Sequence, residues 1–158
     1  MAFVIERHLE IEAPPAVVWQ VLTDFSRYPE WNRFLVGCRS SLVPGEPIEL
    51  MVKLGARAQP QREWMLEHQP GRRFAYQMKP VPLGALSSHR SHDVEALGAA
   101  RTRYRSYFHL KGWLMPLVRA LLRSRLEAGF AQMSEGLKQQ AEALWREQQH
   151  ASSAVARA

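Results

Sequence analysis

The chain has a single cysteine, Cys38, among its 158 residues. One thiol cannot make an internal disulfide, and it gives the scattered histidines His68, His89, His109 and His150 nothing to build a metal cluster with. No HExxH, CxxC or two-carboxylate-plus-histidine pattern occurs, so no metal and no cofactor are expected. A GxSxG elbow and a glycine-rich phosphate loop are missing as well. No uncharged run approaches the ~20 apolar residues of a membrane span. Only Ala2 to Ile5 precede Glu6 and Arg7, too short for a secretory apolar region, so a cytoplasmic setting is expected. Acid is absent from one long stretch. Between Ala96 and Leu126 stand Arg101, Arg103, Arg105, Lys111, Arg119, Arg123 and Arg125, with no Asp or Glu. Such a run can attract nucleic acid, an anionic membrane or an acidic ligand.

What is present is ordinary for a globular chain: 46% apolar and 23% charged residues, with a net charge of +6. This length suits one domain able to bury roughly 70% of its unfolded surface. Residues 1–147 carry the pattern of that domain. Residues 148–158 have no apolar period and are expected to fray.

Phe3, Ile5, Leu9 and Ile11 alternate with polar residues, which predicts a half-buried strand with Arg7 as the exception on the apolar side. Pro14-Pro15 suits a first helical turn, and Val17, Val18, Val21, Leu22 and Phe25 follow at helical spacing. A second short helical turn carries Trp31. Strands are then predicted over Phe34–Leu42, Ile48–Leu54, Arg62–His68, Arg73–Met78, Ala85–Leu97 and Arg101–Lys111, with Gly55–Pro60 as a loop. Pro44-Gly45, Pro70-Gly71 and Gly98-Ala99-Ala100 supply turns. From Pro116 to about Glu147, Leu122, Leu126, Phe130, Met133, Leu137, Ala141 and Leu144 recur at three and four, the mark of one long amphipathic helix. The predicted class is α+β: six or seven antiparallel strands, two short helices after the first strand, and a long C-terminal helix across the sheet.

That order, with the segment IEAPPAVVWQVLTDFSRYPEWNRF from Ile11 to Phe34, the turn Gln69-Pro70-Gly71-Arg72-Arg73-Phe74 and the run Gly112–Lys138, resembles the SRPBCC or START-like helix-grip superfamily. The polyketide cyclase/dehydrase-like branch is the nearest match. The resemblance covers Phe3 to Glu147 and implies a curved sheet wrapped around the last helix, with a hollow between them. None of these segments is a catalytic motif.

The last hairpin sorts the basic run. With the turn at 98–100 and Leu97 opposite Arg101, Glu95 faces Arg103 and Asp93 faces Arg105, pairs of about 0.2–1 kcal/mol each on the outer face. The inner face then holds Arg90, His92, Val94, Tyr104, Ser106 and Phe108. A buried unpaired cation is costly. Two readings stay open for Arg90: its guanidinium snorkels out at a rim, or Arg90, His92, Tyr104 and Ser106 make a polar spot that orients an apolar ligand. Trp31, Phe34, Leu50, Trp64, Phe74, Tyr76, Phe108, Leu126 and Met133 are the candidate apolar lining; the alternative is that they fill a core. Gly129 and Gly136 in the long helix point to close packing or to room for a ligand. Cys38 reads as a small strand residue.

Three functions follow as expectations. The first is binding of a lipid, polyketide or quinone between sheet and helix, with Arg90, His92 or Tyr104 as the polar handle. The second, implied by the resemblance, is cyclase or dehydratase chemistry with His92 as acid or base and Tyr104 and Arg90 polarising a carbonyl. The third is a ribosome, RNA or protein interaction through the basic run; DNA binding is not expected. Trp113-Leu114-Met115 with Arg119, Arg123 and Arg125 suits a membrane surface as well as plain solvation. Monomer and homodimer both remain open.

Overall fold

The computed structural model describes residues 2–156. β1 (Ala2–Ile11) leads into α1 (Pro15–Thr23), a 3-10 turn (Phe25–Arg27) and α2 (Tyr28–Trp31). β2 (Leu35–Ser40), β3 (Pro47–Val52), β4 (Gln59–Gln69), β5 (Arg73–Met78), β6 (Ser87–Gly98) and β7 (Arg101–Lys111) follow, then α3 (Met115–Val155). All strands pair antiparallel in one seven-stranded sheet of order β1-β7-β6-β5-β4-β3-β2. The α+β helix-grip class expected from the sequence is the observed one.

The link from helices to sheet is local chemistry. Proline at the start of α1 lacks the N–H that a first turn leaves unpaired anyway. The Tyr28 hydroxyl donates to the Leu22 carbonyl at 2.7 Å, tying α2 back onto α1. Asn32 is buried, and its side-chain oxygen accepts from the N–H of Phe34 and of Leu35 at 3.1 and 2.8 Å. Those bonds turn the chain into β2 and aim Phe34 inward.

Most of the β6–β7 register matches the charge-pairing expectation: Glu95 lies opposite Arg103, Asp93 opposite Arg105 and Arg90 opposite Phe108. One pair is corrected. Gly98, not Leu97, faces Arg101, because a bulge absorbs Leu97. β4 starts at Gln59, inside the expected loop, because β3 gives Val52 and Met51 as partners to Gln59 and Pro60. Bulges between Leu35 and Gly37 and between Met65 and Glu67 bend the β2–β4 side of the sheet.

α3 also corrects an expectation. It does not fray at residue 148 but runs on to Val155, with residues 151–156 exposed. Ala, Gln and Glu are good helix formers even without an apolar face, and Ser153 Oγ donates back to the Gln149 carbonyl at 2.9 Å. The last two residues of that expected tail lie outside the described residues. At ~1.5 Å per residue α3 is about 60 Å long, so its end projects past the sheet. Gly129 and Gly136 let it approach the α2–β2 link. A Cβ at 129 would stand 2.3 Å from Phe34 Cδ2, and one at 136 would stand 2.7 Å from the Trp31 carbonyl oxygen. Close packing is therefore what those glycines permit.

Candidate functional site

Beyond the glycine contact, α3 and the bent strands do not close. A cavity of about 440 Å³ lies between them, a size within the range of small-molecule sites. Its floor is apolar: Leu50 and Val52 from β3, Tyr76 from β5, Phe108 and Leu110 from β7, and Leu126 and Phe130 from α3. Leu54, Leu86, Val118 and Leu122 are half-exposed and form its mouth.

Arg90 is the polar centre. It is 2% exposed and lines the cavity, so the snorkelling reading is overturned. Nη1 donates to Ser106 Oγ at 2.7 Å and to the Tyr107 carbonyl at 3.3 Å. Nη2 lies 3.8 Å from Met133 Sδ, and the guanidinium carbon sits 4.4 Å from the centre of the Phe130 ring. Among the described residues it has no carboxylate partner, and its Nε is buried without an acceptor. Such a guanidinium is positioned but not neutralised.

Glu63 is the residue that sequence reading missed. It lies on β4, opposite Ile48 on one side and Met78 on the other, and lines the same cavity. Its Oε2 is buried without a partner. Burial pushes its carboxyl up to about 7, even though the Arg90 charge pulls the other way. In sequence, Arg62, Glu63 and Glu67 look like an ordinary solvated strand. Alternation with buried Met65 was the available signal.

His92 and Tyr104 lie behind the wall. They are 1% and 0% exposed, and neither lines the cavity. His92 Nδ1 and the Tyr104 hydroxyl share a hydrogen bond of 2.7 Å. Burial, helped by the charges of Arg90 and Arg73, holds the His92 imidazole well below its ordinary range, so it is neutral. Burial raises the Tyr104 hydroxyl, opposed by Arg90. Phe74 stacks on His92 with ring centres 4.6 Å apart. This closed stack places no proton-transfer group in the cavity.

The other candidates divide the same way. Phe34, Leu50, Tyr76, Phe108 and Leu126 line the cavity. Ser106 and Met133 touch Arg90 from the core side. Trp31 packs edge-on against Tyr28 and under Gly136. Trp64 lies on the outer face, since Glu63 and Met65 beside it turn inward. Cys38 is driven up to about 12 by burial, which makes it a poor nucleophile.

Much of the basic run is answered by carboxylates. Arg103 pairs with Glu95 at 2.9 Å, Arg105 with Glu6 at 2.5 Å, Arg101 with Glu10, and Arg123 with Glu127 at 2.9 Å. Lys111, Arg119 and Arg125 make no ion pair among the described residues. Beside the mouth, Leu83, Trp113, Leu117 and Leu121 are exposed, and Trp113 Nε1 donates to the Leu83 carbonyl at 3.3 Å. No helix is long and apolar enough to cross a membrane, and no three potential metal ligands cluster among the described residues.

Residues 2–142 match the family described as polyketide cyclase / dehydrase and lipid transport. The chain belongs to this family. Membership supports hydrophobic-ligand binding or a cyclase-type role. No curated protein matches the chain. Among solved structures, the Zhui aromatase/cyclase of a Streptomyces species aligns with a TM-score of 0.69 at 16% identity, over 92% of this chain and 94% of that one. A START superfamily protein from Mycobacterium smegmatis aligns at 0.67 and 17% identity, over 89% and 98% of the two chains. Norcoclaurine synthase from Thalictrum flavum, in complex with dopamine and hydroxybenzaldehyde, aligns at 0.64 and 14% identity, over 88% and 86%. At such identities the likeness establishes the START-like fold.

Proposed function

We propose that this protein binds a hydrophobic small molecule carrying one polar head, with its body in the cavity and its head at Arg90. The observation that carries this reading is the buried guanidinium, fixed by Ser106 and the Tyr107 carbonyl yet left with a free Nε at an apolar cavity. A fold stabilised only for itself gains little from such a group, because an apolar residue in its place would usually be neutral or better. A ligand acceptor at Nε would complete it. Apolar contact would supply most of the affinity, at ~25 cal/mol per Å² removed from water. The sealed His92–Tyr104 pair does not reach this cavity; the carboxyl that does is Glu63.

The test is a thermal-shift screen of lipids, aromatic acids and quinones against the wild type and Leu50→Trp, which fills the floor. Ligands should raise Tm in the wild type alone, since binding only the folded state stabilises it. Equal shifts in both proteins, or none in either, would refute cavity binding.

A further inference from the structure

We propose that the head of the ligand is a carboxylate, held jointly by Arg90 and by Glu63 in its protonated form. This rests on the cavity-binding reading and sharpens it. Two buried atoms face the cavity without partners, Arg90 Nε and Glu63 Oε2. They do not satisfy each other in the empty site. A protonated Glu63 offers O–H where Arg90 offers N–H, so both present donors. A carboxylate accepts from both and neutralises the desolvated guanidinium. An alcohol oxygen can accept from the same donors, but it brings no charge to neutralise the guanidinium.

The surroundings favour the anion. Around Glu63, β3 brings Ile48, β5 brings Tyr76 and Met78, β6 brings Ser88 and Arg90, and α3 brings Leu126 and Phe130. Arg62, its neighbour in sequence, is at the rim and engaged with Glu49 at 2.7 Å. Arg90 is thus the charged group facing it that no carboxylate answers, and burial leaves the Glu63 proton poised near neutrality. The approach is positive too. Residues 53–58, 79–86 and 111–126 hold Lys53, Arg57, Lys79, Lys111, Arg119, Arg123 and Arg125 but neither Asp nor Glu, and of these Arg123 is answered by Glu127. These segments meet at the mouth through Leu54, Leu86 and Val118, and one-sign charge around a cleft concentrates the opposite ion.

Binding is then linked to protons. When Glu63 starts ionised, capture of the carboxylate takes one proton from solvent; no bond of the ligand forms or breaks. Calorimetry with decanoate, in buffers of different ionisation enthalpy, counts that proton directly on the wild type. Uptake should approach about one proton near pH 8 and vanish near pH 6, and affinity should fall by up to about tenfold per pH unit above about 7. Glu63→Gln keeps a neutral N–H donor, so its affinity should be independent of pH and close to that of the wild type at pH 6. Arg90→Met should weaken decanoate at least tenfold at every pH. Naphthylacetate in place of decanoate tells a ring from a chain behind the same head, and either acid binding with uptake supports the proposal. Decanol binding as tightly as decanoate would overturn the carboxylate head, and decanoate binding without proton uptake near pH 8 would overturn the joint hold by Glu63; both leave the cavity reading standing. Failure of the acids and the alcohol alike would overturn both.

Discussion

Glu63→Gln should also make the ligand-free protein more stable, and only above about pH 4.5. Glu63 is raised from 4.5 to about 7 on folding. Below 4.5 the carboxyl is protonated in both folded and unfolded chains, and its burial adds no pH-dependent penalty. Above 4.5 the unfolded chain ionises it freely, while the folded chain still holds the proton, so folding loses ground as pH rises. The loss stops growing above about 7, where both states have released the proton. A rise of that size corresponds to roughly 3 kcal/mol. The residue is half-buried, with only Oε2 fully enclosed, so solvent relieves part of it and about 1–3 kcal/mol is the range to look for. Glutamine has the same shape and no charge, and avoids the penalty. Urea denaturation of both proteins at about pH 4, 6 and 8 measures the difference by extrapolation. It should be near zero at the first, intermediate at the second and fully developed at the third. A difference that stays flat with pH, or grows toward acid, would refute the placement of Glu63 in a dry apolar wall.

Arg90→Met should leave Tm within a few degrees of the wild type, because replacing a buried unpaired charge by an apolar group is often neutral or stabilising; circular dichroism melts check this, and a collapse of the fold would show the guanidinium to be structural. His92 titrates well below its usual range, so it should stay neutral by nitrogen NMR under mildly acidic conditions, and its contribution to stability should be lost as pH falls below 6.5. Gly129→Ala gains ~1 kcal/mol of helix propensity but pushes the Phe34 ring toward the cavity, so calorimetry should show weaker ligand binding with modest destabilisation. Gly136→Ala meets the Trp31 backbone carbonyl, which cannot swing aside, and should lower Tm more than Gly129→Ala does.

The fold was legible because its signals are local. Strand alternation in β1, the proline start of α1, the charge ladder of β6 and β7 and the apolar stripe of α3 each depend on neighbours a few residues apart. The register of β6–β7 followed from Glu95 and Asp93 meeting Arg103 and Arg105, and failed only at Leu97, where a bulge shifts the count by one. Arg101 pairing with Glu10 was not legible, since nothing in either segment says that β1 closes on β7. The site was half legible for the same reason. Arg90 stood out as a cation on an apolar face, a contradiction within one strand. His92 and Tyr104 share that face, yet they lie deeper, and depth depends on how far the sheet curls away from α3.

Glu63 shows where that limit has its physical origin. Whether its carboxyl is wet or dry is decided by partners remote in sequence: Arg90 across two strands, Phe130 on α3, and the bulge after Met65 that ends the regular register with β5. The glycines are the other half of the same geometry. Gly129 draws α3 onto Phe34 at one end of the cavity, while the bulged strands turn away from α3 beyond it. The gap is therefore built from a close contact and a bend, and the polar pair falls where the two diverge. A cavity made that way does not depend on small residues along its own wall, which is why a lining of Leu, Val, Phe and Tyr reads in sequence equally well as a pocket or as a filled core.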